Sequence, residues 1–307
     1  MRIAIIQHPP VYLDLNASLD KAAMLLEQAA AKGAELTVFG ETWLSGYPAW
    51  LDHCPEVAMW DHPVTKKIFA RMYQSSISLG GEAFGRLQEM AKRTHMYLVI
   101  GVNERIDQGP GNGTIYNSLL TFGPDGRLRN HHRKLMPTYS EKLLYGQGDG
   151  HGLITLDTDW GRLGGLICWE HWMPHARQAL HNAGEHIHIA VWPTVHELHQ
   201  LASRHYAVEG RCFVIAAGQL LAVKDLPAEL TLPPKLQDQP EHLLLRGGSC
   251  IIGPDGQYVL EAVMDKAEIL IADIEPNKVL EERMTLDVSG HYQRPDIFAF
   301  HVNTDRK

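Results

Sequence analysis

Three residues of this sequence stand beyond apolar runs and could act on one another. "RLGGLIC" stops on Cys168, and Trp169, Glu170 and His171 follow at once. Pro174 suits the first turn of a following helix. A thiol at such a strand-to-helix elbow lies near backbone N–H groups and a positive helix end, and both favour the thiolate. "LTVFGETW" places Glu41 directly beyond a second run, and in α/β sheets sites form at the carboxyl ends of strands. Glu41 and Cys168 are therefore expected at equivalent strand ends of one sheet. A carboxylate beside a thiol can take its proton and later activate water. "LRNHHRKLMP" carries Lys134 past the strand "NSLLTF" and its turn, where an ammonium could hold charge developing on a substrate atom. Each residue also has an ordinary reading: a buried inert cysteine, a carboxylate capping a turn, a solvated lysine. Glu141 precedes the turn "YGQGDG". That turn does not join a strand to a helix in a βαβ unit, so nucleotide binding is discounted.

The elements that must position these residues alternate along the chain. "RIAIIQ" (2 to 7) reads as a buried strand. "NASLDKAAMLLEQAAAKG" reads as a helix capped by Asn16 or Ser18, with Gly33 at its C-terminal cap. "ELTVFG" is a second strand, so the opening forty residues form a βαβ unit with a parallel pair. "EAFGRLQEMAKR" and "MYLVIG" repeat the helix–strand pattern. "RLGGLICW", "HIHIAVWP", "RCFVIAAGQ", "GGSCIIGPDG" and "AEILIADI" read as further strands, with "MPHARQALHNAG" and "HQLASRHYAVEGR" as helices. The fold class is α/β. Residues 50–80 lack a clear period, and 222–246 are rich in proline and polar residues; both are expected as surface insertions. Gly-Pro-Asp-Gly occurs at 123 and again at 253, too short a match to establish a repeat.

Composition excludes several functions. The 307 residues include 28 Lys and Arg against 36 Asp and Glu, a net charge of −8, with the basic residues scattered. No nucleic-acid partner is expected. No apolar run approaches the roughly 20 residues that cross a bilayer, and the N-terminus lacks a signal-peptide pattern, so a soluble cytoplasmic protein is expected. The cysteines, Cys54, Cys168, Cys212 and Cys250, are far apart, which suggests neither a zinc knuckle nor a disulfide framework. Eighteen histidines, several in "HNAGEHIHIAVWP" and "VHELHQ", read as surface residues of strands and helices. No metal-ligand spacing such as H-E-x-x-H stands out.

Taken together, Glu, Lys and Cys in this order resemble the nitrilase superfamily of carbon–nitrogen hydrolases, and its nitrilase branch most. "FGETWLSGYPAW" resembles that branch's glutamate segment. "HRKLMPTYSEKLLYGQGDG" is similar to its lysine segment, and "GLICWEHWMPHAR" to its nucleophile segment. "DVSGHYQRPDIF" resembles a further signature near the C-terminus, and the likeness runs from about residue 2 to 299. It implies one domain over 1–307 with a four-layer α-β-β-α sandwich. Many members carry a longer tail that helps assembly, so 300–307 is expected as a short tail. The resemblance further implies a homodimer packed layer on layer, or a larger homo-oligomer, with 50–80 and 222–246 as candidate interfaces.

For chemistry, the resemblance implies a nitrilase that needs no cofactor or metal and takes a small-molecule nitrile. Glu41 would accept the Cys168 proton. The thiolate would attack the nitrile carbon to give a thioimidate, then a thioester that water releases as the acid. Lys134 and the backbone N–H of Trp169 would hold the developing charge, and Glu141 would position Lys134 or assist proton movement. Tyr47, Trp169 and Trp192 are candidates for the pocket wall, with core packing as their alternative. Rival functions are an amidase with the same residues, a cyanide-hydrating or cyanide-hydrolysing enzyme, a non-catalytic scaffold and a histidine-rich metal binder.

Overall fold

The computed structural model describes residues 1–306. Its strands are β1 (Arg2–Gln7), β2 (Leu36–Phe39), β3 (Tyr97–Arg105), β4 (Ile115–Phe122), β5 (Leu128–Arg133), β6 (Leu156–Thr158), β7 (Gly161–Ile167), β8 (Ile187–Val191), β9 (Phe213–Ala217), β10 (Leu220–Ala222), β11 (Leu243–Ile252), β12 (Tyr258–Met264) and β13 (Glu268–Asp273). One sheet has the order β13-β1-β2-β3-β4-β5, and the other β10-β11-β9-β8-β7-β6 with β12 paired to β11. In the first, β1, β2 and β3 run parallel and β4 and β5 return antiparallel. The second does the same with β7, β8 and β9, followed by antiparallel β11 and β12. The two Gly-Pro-Asp-Gly segments close the corresponding hairpins, β4–β5 and β11–β12. In each the second glycine takes a left-handed φ, 79° at Gly126 and 78° at Gly256, as such turns require.

Alternation along the strands sets the layers. Ile3 and Ile5 of β1, Leu36 and Val38 of β2, and Leu119 of β4 join Leu163, Ile187, Ile189 and Val191 of the second sheet in one core. The intervening Ala4, Ile6, Phe39 and Leu120 pack instead with Leu19, Leu25, Leu26, Leu87 and Met90. Those last residues belong to the helices α1 (Leu15–Ala31) and α4 (Glu82–Thr94), which cover the outer face of the first sheet. Between them in sequence lie the short α2 (Trp50–His53) and α3 (Pro63–Gln74). On the far side α5 (Pro174–Asn182) and α6 (Glu197–Gly210) cover the second sheet through Ala176, Leu180, Ala202 and Tyr206. The result is a single α-β-β-α sandwich, with α7 (Pro234–Gln237) and α8 (Lys278–Arg283) outside it.

One local expectation changes. The α1 cap is Asp14, which accepts from Ala17 N, not Asn16 or Ser18; Ser18 is buried and bonds Val11 instead. Segments 50–80 and 222–246 pack on each other and on the core. Trp50, Leu51, Val57, Ile68 and Met72 share an apolar cluster with Leu226, Leu230 and Leu245. Thr231 N donates to Glu56 across the same contact (2.5 Å).

Gly101 of β3 shows how tightly the Glu41 turn sits on the sheet. Leu44 N donates to Gly101 O (3.0 Å), and a Cβ on Gly101 would lie 2.3 Å from Gly40 O and 2.4 Å from Thr42 N. Gly101→Ala should therefore lower the unfolding free energy by about 1–3 kcal/mol, read from denaturant melts. An unchanged midpoint would show that the turn can back away.

Candidate active site

Three strand ends converge. Glu41 leaves β2 in a turn with left-handed φ at Thr42 (45°), Ser45 (77°) and Gly46 (95°). Lys134 leaves β5, and its N–H donates to Asn117 O of β4 (2.8 Å). Gly148 N donates to Lys134 O (2.9 Å), and a Cβ on Gly148 would strike the Arg133 carbonyl at 2.2 Å. The glycine-rich turn thus clamps the lysine backbone. Cys168 leaves β7 with φ 54°, a strained value for a side chain that points into a site. Glu41 and Cys168 do not share a sheet, contrary to the expectation from sequence. β2 belongs to the first sheet and β7 to the second, and their ends meet because the two sheets pack face to face.

The side chains form one buried charge cluster. Lys134 Nζ donates to Glu41 Oε1 (2.8 Å) and to Glu141 Oε1 and Oε2 (3.0 and 2.8 Å). Asn117 Nδ2 donates to the same Glu41 oxygen (2.7 Å). Glu141 also accepts from Tyr47 Oη (2.8 Å) and Thr138 N (2.9 Å). Glu41 Oε2 is buried with no hydrogen-bond partner. Burial raises the Glu41 carboxyl to about 7; Lys134 opposes the rise and Glu141 adds to it. Burial works against the Lys134 ammonium, but Cys168, Glu41 and Glu141 hold its pKa above the ordinary value.

Cys168 departs from the thiolate expectation. Burial, then the Glu41 charge, push its thiol well up, while Lys134 and the Trp169 N–H pull less strongly the other way. Cys168 opens a 3₁₀ turn, Cys168–Trp172, and α5 begins only at Pro174, so the α5 dipole does not start at the sulfur. Burial thus favours the neutral thiol. A carboxylate that acts on a neighbouring thiol can take its proton when an electrophile arrives.

Above the cluster lies a cavity of about 290 Å³ lined by Cys168, Glu141, Tyr47, Trp169, Tyr139 and His199, among others. Tyr47 and Trp169 are thus in its wall, and Trp169 is 44% exposed. Trp192 is not. It is fully buried, stacked on His171 (4.6 Å) and on His199 (4.2 Å), so it backs a wall residue. The histidines of "GEHIH" and "VHELHQ" are not uniformly on the surface either: His188 and His199 are buried. Among the described residues no three His, Cys, Asp or Glu side chains converge as metal ligands.

Sequence reasoning missed the residues that hold the cluster. Asn117 carried no signal, because an asparagine inside a strand pattern looks like any polar strand residue. Gln219 Nε2 donates to the Glu41 carbonyl. Glu170 stood in view beside Cys168, without a role. Its carboxylate accepts from Ile167 N (2.6 Å), Leu135 N (2.7 Å) and His132 (2.9 Å), tying the cysteine elbow to the residue after Lys134. Glu104, Arg133 and His131 anchor the end of β5 in the same way.

The chain belongs to the carbon–nitrogen hydrolase family, whose model matches residues 2–283, and is a hydrolase acting on carbon–nitrogen bonds. Within it the relatives are nitrilases. The chain is 37% identical to an aliphatic nitrilase of Sinorhizobium fredii (strain HH103), over all of this chain and 96% of that protein. It is 35% identical to nitrilase 1 of Arabidopsis thaliana, over 99% of this chain and 87% of that one. The fold matches a carbon–nitrogen hydrolase from Helicobacter pylori G27 with a TM-score of 0.73 at 22% identity, covering 97% and 96% of the two chains.

Glu104 offers a pH test of the anchor. Burial pushes its carboxyl up, but His131 and Arg133 outweigh this and hold it at about 2, against an ordinary 4.5. A carboxyl depressed on folding contributes stability above its unfolded pKa and loses it as pH falls toward the folded value. Wild type should therefore lose more stability between pH 5 and 2 than Glu104→Gln. Parallel pH profiles of the melting midpoint would show that this ion pair contributes nothing.

Proposed function

We propose that the protein is a nitrilase converting an organic nitrile and two waters into the carboxylic acid and ammonia. What carries this reading is the juxtaposition of Cys168 at a cavity floor with a Glu41 oxygen left without a partner and a Lys134 ammonium held between two carboxylates. Glu41 Oε2 takes the thiol proton as sulfur bonds to the nitrile carbon and passes it to the nitrogen, giving a thioimidate and restoring the carboxylate. Lys134 and the Trp169 N–H stabilise the charge moving onto nitrogen. Water delivered by Glu41 adds, ammonia departs and a thioester remains. A second water, activated the same way, frees the acid and returns the proton to sulfur. Glu141 and Tyr47 keep Lys134 aimed, and no cofactor takes part. Tyr47 and Trp169 contact the acyl group, with Tyr139 and His199 beside them.

Assembly and setting belong to the same proposal. A homodimer or larger homo-oligomer is supported by Trp172, Met173, Leu198 and Leu201, apolar side chains left exposed at the outer helix layer beside the site. A cytoplasmic location is supported by four unpaired cysteines, all buried. Among the described residues no helix is long and apolar enough to cross a membrane.

Ammonia release from an aliphatic dinitrile, an arylacetonitrile, benzonitrile, cyanide and the matching amides tests the reaction. Cys168→Ala should abolish release from nitriles with an unchanged circular dichroism spectrum, and residual turnover near wild type would sink the mechanism. Glu41→Gln should be inactive at every pH, since an amide is no base; recovery at high pH would confine Glu41 to forming the thiolate. Release from amides alone would move the protein to the amidase reading. Because Glu41 must be deprotonated and its carboxyl is raised to about 7, kcat/KM should fall as pH drops below about 7.

A further inference from the structure

Behind the cysteine elbow runs a chain of buried polar groups that the proposed reaction does not use. His171 Nδ1 lies 2.6 Å from the Cys168 carbonyl oxygen. His171 Nε2 lies 2.9 Å from His188 Nε2, and His188 Nδ1 lies 2.8 Å from Glu185 Oε1. Tyr206 Oη donates to Glu185 Oε2 (2.6 Å). All four side chains are 0–1% exposed. β7 is cut away to admit the acid: a Cβ on Gly164 would lie 2.1 Å from Glu185 Oε1.

Hydrogen-bond logic gives this chain one direction. A carbonyl only accepts, so His171 carries its proton on Nδ1 and presents a bare Nε2. His188 must then donate from Nε2, which leaves His188 Nδ1 as an acceptor. The donor that completes the chain is the Glu185 carboxyl proton. Burial raises that carboxyl to about 8, and burial holds both histidines well below their ordinary values. Tyr206, His181, His186 and Arg283 pull the Glu185 carboxyl down, less than burial raises it. The Arg283 guanidinium of α8 donates to the Glu185 backbone oxygen (2.6 Å), not to its side chain. His181 of α5 is bonded to Glu209, the neighbouring His186 accepts from Arg162 N, and the Cys212 thiol is pushed well up by burial.

The far end of the chain touches the site. A trans peptide is planar, with its C=O and N–H pointing opposite ways. Fixing the Cys168 carbonyl toward His171 therefore turns the Trp169 N–H away from His171, and that N–H is the backbone group that favours the Cys168 thiolate. We propose that Glu185, His188 and His171 are positioning residues, a buried donor chain that locks the Cys168–Trp169 peptide so that its N–H faces the reacting sulfur. The role in turnover rests on the nitrilase reading above; the alignment of the N–H with sulfur does not.

The test separates donation from shape. Glu185→Gln keeps a donor for His188 and an acceptor for Tyr206, whereas Glu185→Leu keeps neither. Two rates are measured on both variants and wild type, with melting curves alongside: nitrile turnover, and alkylation of Cys168 by iodoacetamide followed by peptide mass spectrometry. Gln should stay within about threefold of wild type in both. Leu should lower kcat by at least tenfold with KM little changed, and slow alkylation because the thiolate loses its N–H partner. Equal impairment of Gln and Leu, or wild-type rates in Leu, would overturn the proposal. If wild type turns over no nitrile, the nitrilase reading fails by itself, and the alkylation rates still decide the donor chain. His171→Phe, which retains a ring against Trp192, should match Leu. If Leu does not fold, the same two rates in His171→Phe decide the matter, and wild-type values there would overturn the proposal.

Discussion

A single ammonium buried between two carboxylates is the constraint around which the site is organised. Taking Lys134, Glu41 and Glu141 out of water is costly, and only near-complete pairing makes such a group tolerable. The surrounding structure supplies that pairing. Asn117 and Tyr47 each add a donor to a carboxylate oxygen that the lysine already bonds, and Thr138 N donates to the other Glu141 oxygen. Glu41 Oε2 is the carboxylate oxygen of this cluster left without a partner. Unsatisfied groups of this kind gather at functional sites. The raised carboxyl and the raised thiol have a common origin: burial disfavours both charged forms, and neighbouring negative charge adds to it.

Rigid supports on all three approaches follow from the same constraint. A small misplacement would break the network, so each strand end is braced. Gly101 lets the Glu41 turn lie directly on β3. Glu104, Arg133 and His131 hold β5, and Glu170 bridges the cysteine elbow to the lysine loop. These braces are polar groups buried deep in the sandwich, and each has its partners close by.

The sequence showed the chemistry better than it showed its supports. α1 and α4 are readable because one face of each is apolar with the right period, and β1, β2 and β7 because they are short apolar runs buried on both faces. β5 is not: "LRNHHR" is polar because its side chains serve Glu104 and Glu170, and periodicity cannot see a strand built from ion pairs. Segment 50–80 conceals α3, whose inward face holds only Ile68 and Met72. Strand ends are legible but sheet membership is not, which is why strand ends alone put Glu41 and Cys168 in one sheet. Trp192 resembles a pocket wall residue because its type and place in the chain fit. Only the packed structure reveals that it stands one side chain behind.

The shared topology of the two sheets has its own consequence. β1 in the first sheet corresponds to β7 in the second, and β2 corresponds to β8. The position beyond β7 holds Cys168; its counterpart beyond β1 holds His8, whose carbonyl accepts from Trp43. The position beyond β2 runs through Gly40 to Glu41; its counterpart beyond β8 is Trp192, followed by Pro193. The two halves thus repeat a frame but not its contents: one contributes Glu41 and the other Cys168 to a single site where the sheets meet. The counterpart positions carry other duties, Trp192 packed in the core and Pro193 lining the same cavity. Symmetry survives here in the frame, and labour is divided across it.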